Sequence, residues 1–262
     1  MHHKAAVIIP CYKEKLNPYE QIALSQCQKI LGQQHIIAIK PEGLVLPKEM
    51  IDVVGNTMEE FESYFFDNIQ GYNRLMLSPT FYERFLKYDY VLIYQLDCFV
   101  FKDELAYWCA QKWDYIGAPW IRKTYHKNAM ELLFAKIGDF VKEKLKPANN
   151  FSLIDKVGNG GFSLRNVKKF HEICISMREE IEFYLKNPSD LHNEDVFWSL
   201  EVNKKCKKLN IPDVNTAIKF AYEVPPLKTT KFDIESAPFG CHDWDHYKDF
   251  WSPIFRDYGY SI

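Results

Sequence analysis

Tyr90-Val91-Leu92-Ile93-Tyr94-Gln95-Leu96-Asp97 reads as a strand buried on both faces, with a carboxylate at its carboxyl end. A continuous apolar run of this kind belongs to a parallel sheet covered by helices on either side. Upstream, Ala5-Ala6-Val7-Ile8-Ile9 repeats the pattern and is stopped by Pro10. Asn17-Pro18-Tyr19-Glu20 supplies an N-cap, a proline at the first helical position and an acid three residues after the cap. That combination predicts a helix to about Leu31, ended by Gly32. His35 to Ile39, closed by Pro41, reads as a second buried strand, and Asp52 to Val54 as a weak third. Helices are expected near Thr57 to Phe66 and Tyr72 to Leu86. Strands separated by helices predict an α/β fold with an open, mostly parallel central sheet.

The second half is patterned differently. Tyr115 to Ala118 reads as a short strand before Pro119, and Gly160 to Arg165 as a strand opened by glycines. Met130 to Lys146 reads as a basic amphipathic helix, with Leu133, Ile137, Val141 and Leu145 on one face. Asn166 is placed to cap a long helix to about Lys186, and His192-Asn193-Glu194-Asp195 leads into another through Cys206. Thr216 to Tyr222 alternates as a strand, and the aromatic tail from Pro238 onward shows little regular pattern. No repeat or long linker divides the 262 residues, so one domain is expected, residues 1–100 forming a nucleotide-binding half and 101–262 an acceptor half.

Composition narrows the function classes. The formal charge is −2, from 33 basic and 35 acidic residues, which gives no field for binding many phosphates and argues against nucleic acid as a partner. Aromatic residues make up 16% of the chain, enough to rule out disorder and to suit stacking against sugar faces. The seven cysteines have irregular spacing and no C-x-x-C pair, so reduced, buried thiols in a cytoplasmic protein are expected. The apolar run before Lys13 is too short for a signal-peptide core, and no 18-residue apolar stretch occurs. Peripheral membrane contact stays open, through the lysines of Met130 to Lys146 beside an apolar face.

Four segments carry chemistry. Asp97 stands where open α/β sheets bind ligands, either capping its own turn or holding a divalent cation on a diphosphate. Val157-Gly158-Asn159-Gly160-Gly161-Phe162-Ser163-Leu164-Arg165 allows close backbone approach, to a ligand or to packed neighbours. It matches neither the P-loop nor the dinucleotide fingerprint, which makes a dehydrogenase the weakest alternative. In Asn193-Glu194-Asp195-Val196-Phe197-Trp198 the adjacent acids suit a helix N-terminus, or a general base for an acceptor hydroxyl. Neighbouring helical residues do not share a face, so one acid points at substrate while the other holds the loop or meets the acceptor. Pro238-Phe239-Gly240-Cys241-His242-Asp243-Trp244 presents a histidine as packing group, metal ligand or diphosphate donor. Ser-His-Asp hydrolase chemistry lacks its G-x-S-x-G elbow.

In this order, with Tyr72-Asn73-Arg74-Leu75-Met76-Leu77-Ser78 and Asp114-Tyr115-Ile116-Gly117-Ala118-Pro119-Trp120, these segments resemble the GT-A class of nucleotide-sugar glycosyltransferases. They look closest to a bacterial glycosyltransferase-like family once known only as a domain of unknown function. The resemblance spans roughly residues 4–250. It implies a GT-A-like single domain that takes a nucleoside-diphosphate sugar as donor and a glycan or lipid-linked acceptor. Pro10, Cys11 and Tyr12 would floor the nucleotide pocket, Asn73 and Arg74 would lie near nucleotide or donor sugar, and Gly160 and Gly161 would line the crevice. Asp97 matches the last acid of the D-x-D metal motif and His242 the late histidine that completes the metal shell, around Mn²⁺ or Mg²⁺. Asp195 matches the catalytic acid of the x-E-D motif, with Glu194 its companion. Gln95 stands where the first acid of D-x-D is usual, leaving one strand carboxylate for the cation. Lys13, Arg74, Arg122 or Lys123 would then help to neutralise the leaving diphosphate. A retaining transferase on the same fold and a non-catalytic carbohydrate-binding module are the alternatives to an inverting enzyme with Asp195 as base.

Overall fold

The computed structural model describes residues 3–121, 153–225 and 237–262. The first strands in chain order are β1 (Ala5–Pro10), β2 (His35–Pro41), β3 (Met58–Phe61), β4 (Tyr90–Tyr94) and β5 (Phe99–Val100). Next come β6 (Tyr115–Gly117), β7 (Pro119–Trp120), β8 (Lys156–Val157) and β9 (Phe162–Asn166), then the two-residue strands β10 (Ala221–Tyr222) and β11 (Gly240–Cys241). Six of them form the central sheet in the order β3-β2-β1-β4-β9-β6, parallel as far as β4, with β9 antiparallel to both β4 and β6.

Alternation along each strand feeds two cores. Val7, Ile9, Leu92 and Tyr94 pack on one face, and Ala6, Ile8, Val91 and Ile93 on the other. Because both faces are covered, these strands carry no polar side and read as apolar throughout. The helix Pro18–Leu31 begins as the sequence predicts: the Asn17 side chain accepts from the Tyr19 and Glu20 N–H groups at 2.9 Å, and Glu20 reaches back to the Asn17 N–H at 2.8 Å. A smaller sheet, β10-β11-β5, sits beside an aromatic cluster in which Phe99 stacks on Phe255 at 3.8 Å.

Several predicted elements differ. Asp52 to Val54 belongs to a helix, Lys48–Val54, whose Met50 and Val54 are buried four residues apart, and the third strand is instead Met58–Phe61. The rest of the expected Thr57 to Phe66 helix is only a 3-10 turn, Ser63–Phe66. The expected Tyr72–Leu86 helix is two, Ile69–Met76 and Pro79–Arg84, because Ser78 caps the second and Pro79 opens it. The helix after Asn166 breaks at Met177 into Val167–Ser176 and Arg178–Lys186. After Asn193, helix persists only as Glu194–Val196 followed by a π turn, Phe197–Glu201. Thr216 to Phe220 is helical, not extended, since Asp213 caps Val214–Phe220 and its Ala217 and Phe220 face the core. The aromatic tail is ordered as Lys248–Asp257, burying Trp251, Ile254 and Phe255 at helical spacing. The expected helix Met130 to Lys146, with Arg122 and Lys123, lies outside the described residues. Among the described residues no helix is long and apolar enough to cross a membrane. The cysteines are free thiols, and all but Cys206 are buried.

Candidate active site

β1 connects to β2 on one side while β4 meets β9 on the other, so the carboxyl ends of β1 and β4 mark the point where open α/β sheets form a ligand crevice. A cleft of about 530 Å³ lies there. Pro10, Tyr12 and Lys13 enter it from the end of β1, Gln95 and Asp97 from the end of β4, and Trp244 and Asp245 from the tail. Asp67, Ile69 and Tyr72 form the facing wall. The Tyr12 ring is 55% exposed, free to meet a planar ligand, with the Lys13 ammonium 5.4 Å from its centre. Lys13 is itself paired to Glu20 at 2.6 Å. Acids therefore outnumber bases on the described walls, with Glu20, Asp67, Asp97 and Asp245 against Lys13. A diphosphate entering this cleft needs added positive charge.

One cluster supplies a place for it. Gln95 N–H donates to the Gly161 carbonyl at 3.0 Å, and Cys98 N–H closes the turn on the Gln95 carbonyl at 2.9 Å, which turns Asp97 toward the cleft. β11 delivers His242 from the far end of the chain: its Nε2 lies 3.2 Å from Asp97 Oδ1 and 3.1 Å from Gln95 Oε1. Burial works against the imidazolium, but the Asp97 carboxylate together with Glu223 and Asp243 outweighs it and holds the His242 pKa up at about 9. The same contact, overcoming the burial that would raise it, lowers the Asp97 pKa. Asp97, Cys98 and His242 each offer a ligand atom within 4.8 Å of the others. One carboxylate oxygen and one imidazole nitrogen sharing an opening fit a divalent ion of the Mn²⁺ type, which accepts nitrogen, better than Mg²⁺, which prefers an all-oxygen shell. The proton on His242 must leave for such an ion to bind.

The glycine turn joins this cluster to the acids. A Cβ on Gly161 would collide with His242 Nε2 and crowd Gln95, and one on Gly160 would collide with Glu194 Oε1 and crowd Asp195. Both positions are glycine because side chains close in from two directions. β9 then carries Arg165 into the core beneath the turn. Its Nε donates to Ser163 Oγ at 3.0 Å and its Nη1 to the Tyr82 hydroxyl at 3.1 Å, and Nη2 also donates to the Gly160 carbonyl at 3.3 Å. The remaining donors hold Glu194 bidentately, at 3.0 and 2.9 Å. Glu194 is thus buried and spent as a counter-ion. Asp195 is partly exposed, and Oδ1 accepts the Val196 N–H at 2.8 Å. Burial, with the Glu194 charge beside it, pushes the Asp195 pKa up to about 7.

The structure sorts the other predicted residues. Asn73 is 1% exposed and does not line the cleft; its amide donates to Asn193 Oδ1 at 2.9 Å and its carbonyl accepts the Glu194 N–H at 3.1 Å. It anchors the acid segment. Arg74, one residue on, is exposed and outside the cleft lining. Two residues that the sequence does not single out adjoin the glycine turn: Arg165 donates to the Gly160 carbonyl at 3.3 Å, and Glu223 accepts from Asn159 Nδ2 at 3.1 Å. Arg165 was recognisable only as a charge inside an apolar strand.

A family model described as a protein of unknown function (DUF5672) matches residues 55–242. No curated protein sequence matches the chain. Among solved structures, mouse xyloside xylosyltransferase 1 in its apo form is similar over 90% of this chain and 96% of its own, with a TM-score of 0.52 at 6% identity. A galactosyltransferase, LgtC, in complex with donor and acceptor sugar analogs is similar over 90% and 86%, with a TM-score of 0.51 at 16% identity. At such identity the likeness is one of fold: a mixed α/β, GT-A-like architecture with a mostly parallel central sheet.

Proposed function

The chain belongs to the DUF5672 family, and we propose that it is a glycosyltransferase that moves a sugar from a nucleoside-diphosphate sugar to a hydroxyl of a glycan or lipid-linked acceptor. The observation that carries this reading is the single glycine turn that abuts a cation-type cluster, Asp97 with His242, on one side and the acid pair Glu194–Asp195 on the other. The fold shared with a xylosyltransferase and with a galactosyltransferase seen with donor and acceptor sugar analogs supports it.

In this reading Pro10, Tyr12 and the facing wall at Ile69 seat the nucleotide, and Gln95 and Asp97 meet the diphosphate. Asp97 and His242 would hold a divalent ion, which when bound stabilises the departing diphosphate as a Lewis acid. Asp195 takes the proton of the acceptor hydroxyl as that oxygen bonds to the anomeric carbon. The bond from that carbon to the phosphate oxygen breaks on the opposite side, and the diphosphate leaves with the electron pair. The anomeric centre inverts. A carboxyl with a pKa near 7 matches general-base work close to neutrality. Glu194, held on both oxygens by Arg165, keeps its neighbour in place. Residues 1–100 serve the donor, and 101–262 bring the catalytic acids and acceptor side.

Transfer by wild type and Asp195→Asn, with the product anomer read by NMR, tests this. The expected result is an inverted product and abolished transfer in the variant, with nucleotide affinity unchanged. Retention of configuration would replace the base with a residue stabilising the sugar cation. Binding of free glycan without nucleotide would make the chain a carbohydrate-binding module.

A further inference from the structure

Glu223 is the third carboxylate of this site. It follows β10 directly, and β10 runs parallel to β11 with Tyr222 opposite Cys241. The His242 N–H donates to the Tyr222 carbonyl at 2.9 Å, so the next residues on the two strands, Glu223 and His242, leave the small sheet side by side. Asn159 Nδ2 donates to Glu223 Oε1 at 3.1 Å, while Asn159 Oδ1 accepts the Gly161 N–H at 2.9 Å. Asn159 is 6% exposed, so this bridge is fixed. It ties the carboxylate to the glycine turn whose Gly160 abuts Glu194 and Asp195. Glu223 is only partly exposed, and its charge is felt at both His242 and Asp195.

We propose that Glu223 is the acceptor-positioning residue: it accepts a hydrogen bond from a sugar hydroxyl neighbouring the one that Asp195 deprotonates. This rests on the transferase reading above. An ionised carboxylate only accepts, and its roughly four lone-pair sites hold several donors at once. With the Glu223 charge felt at Asp195 across the turn, the ligand that fits presents adjacent O–H donors and no negative charge, which is a neutral sugar rather than a phosphate- or carboxylate-bearing group. The Asn159 bridge fixes the carboxylate before the acceptor arrives, which lowers the ordering cost of binding.

The experiment compares wild type with Glu223→Gln, which preserves shape and the Asn159 contact. UDP-glucose, UDP-galactose and GDP-mannose serve as donors, and p-nitrophenyl glycosides of neutral sugars as acceptors. The expected result is an acceptor KM raised about tenfold, the scale of one hydrogen bond to a charged group, with the Kd for free nucleotide within about twofold of wild type. An unchanged acceptor KM, or a parallel loss of nucleotide affinity, overturns the proposal. Should the glutamine variant fail to fold, Glu223→Asp reads the same split by withdrawing the charge one methylene. Failure of wild type to bind or turn over any of the donors defeats the transferase reading itself, and the role of Glu223 with it.

Discussion

Arg165 and Glu194 meet fork to fork, Nη2 to Oε1 at 2.9 Å and Nη1 to Oε2 at 3.0 Å, with side chains 0% and 5% exposed. In the proposed reaction this pair leaves Asp195, not Glu194, as the base. Both Glu194 oxygens are taken up by the buried guanidinium, whereas its neighbour Asp195 stands beside the turn with a pKa pushed up to about 7.

Breaking that pair from one side should be costly. Arg165→Met strands a buried carboxylate, and a loss of about 3–5 kcal/mol in unfolding free energy is expected. Adding Glu194→Leu should recover much of it, because the stranded charge goes too. Urea denaturation of the two single variants and the double gives the coupling directly; additive losses would mean the two groups do not share a network.

The elevated Asp195 pKa has a signed consequence for stability. A carboxyl whose pKa is higher folded than unfolded holds its proton preferentially in the native state. Its contribution is complete below about pH 4 and is lost as the pH rises through about 7. Asp195→Asn should therefore raise the melting temperature at pH 8 and leave it unchanged near pH 4. In transfer assays the acidic limb of the wild-type rate profile should fall near pH 7, where the base becomes protonated.

Asp97 and His242 make the opposite prediction for metal. His242 keeps its proton up to about pH 9, and an ion must displace it. Mn²⁺ affinity should then climb by about tenfold per pH unit between pH 6.5 and 8.5, one proton being released per ion. Calorimetry in buffers of different ionisation enthalpy counts that proton. Asp97→Ala should weaken nucleotide binding only when metal is present; the same weakening in EDTA would move Asp97 out of the metal site.

The two glycines of the turn should fail differently. Gly161→Ala forces its Cβ into the His242 ring and should abolish metal-dependent nucleotide binding with a modest fall in melting temperature. Gly160→Ala forces Glu194 off Arg165 and should cost stability first. Thermal melts and nucleotide titrations on both variants separate the effects, and identical behaviour would show that the turn shifts as one body.

The parts legible in the sequence are those fixed by local chemistry. The runs Ala5–Ile9 and Tyr90–Tyr94 are apolar throughout, which only a doubly covered strand requires, and the capping box at Asn17 and Glu20 marks its helix within one turn. The placement of Asp97 at the mouth of the cleft follows from the strand before it. Short elements are ambiguous where two periods compete. In Thr216 to Phe220, alternation and the helical pair Ala217 and Phe220 are both present, and the Asp213 cap decides between them. Long-range partnerships left no local signal. The family resemblance puts Asn73 near nucleotide or donor sugar, yet its amide is used up by Asn193 and Glu194. Glu223 follows a strand of two residues, too short for any pattern, and only its pairing with β11 sets it beside His242.

The most direct test of the central claim is a calorimetric titration of the full chain with UDP, GDP and CMP, each in Mn²⁺ and again in EDTA. The account predicts micromolar binding of one nucleotide that weakens sharply in EDTA and falls to that same weak level in Asp97→Ala even with Mn²⁺ present. Binding of none of the three, in either condition, would contradict it.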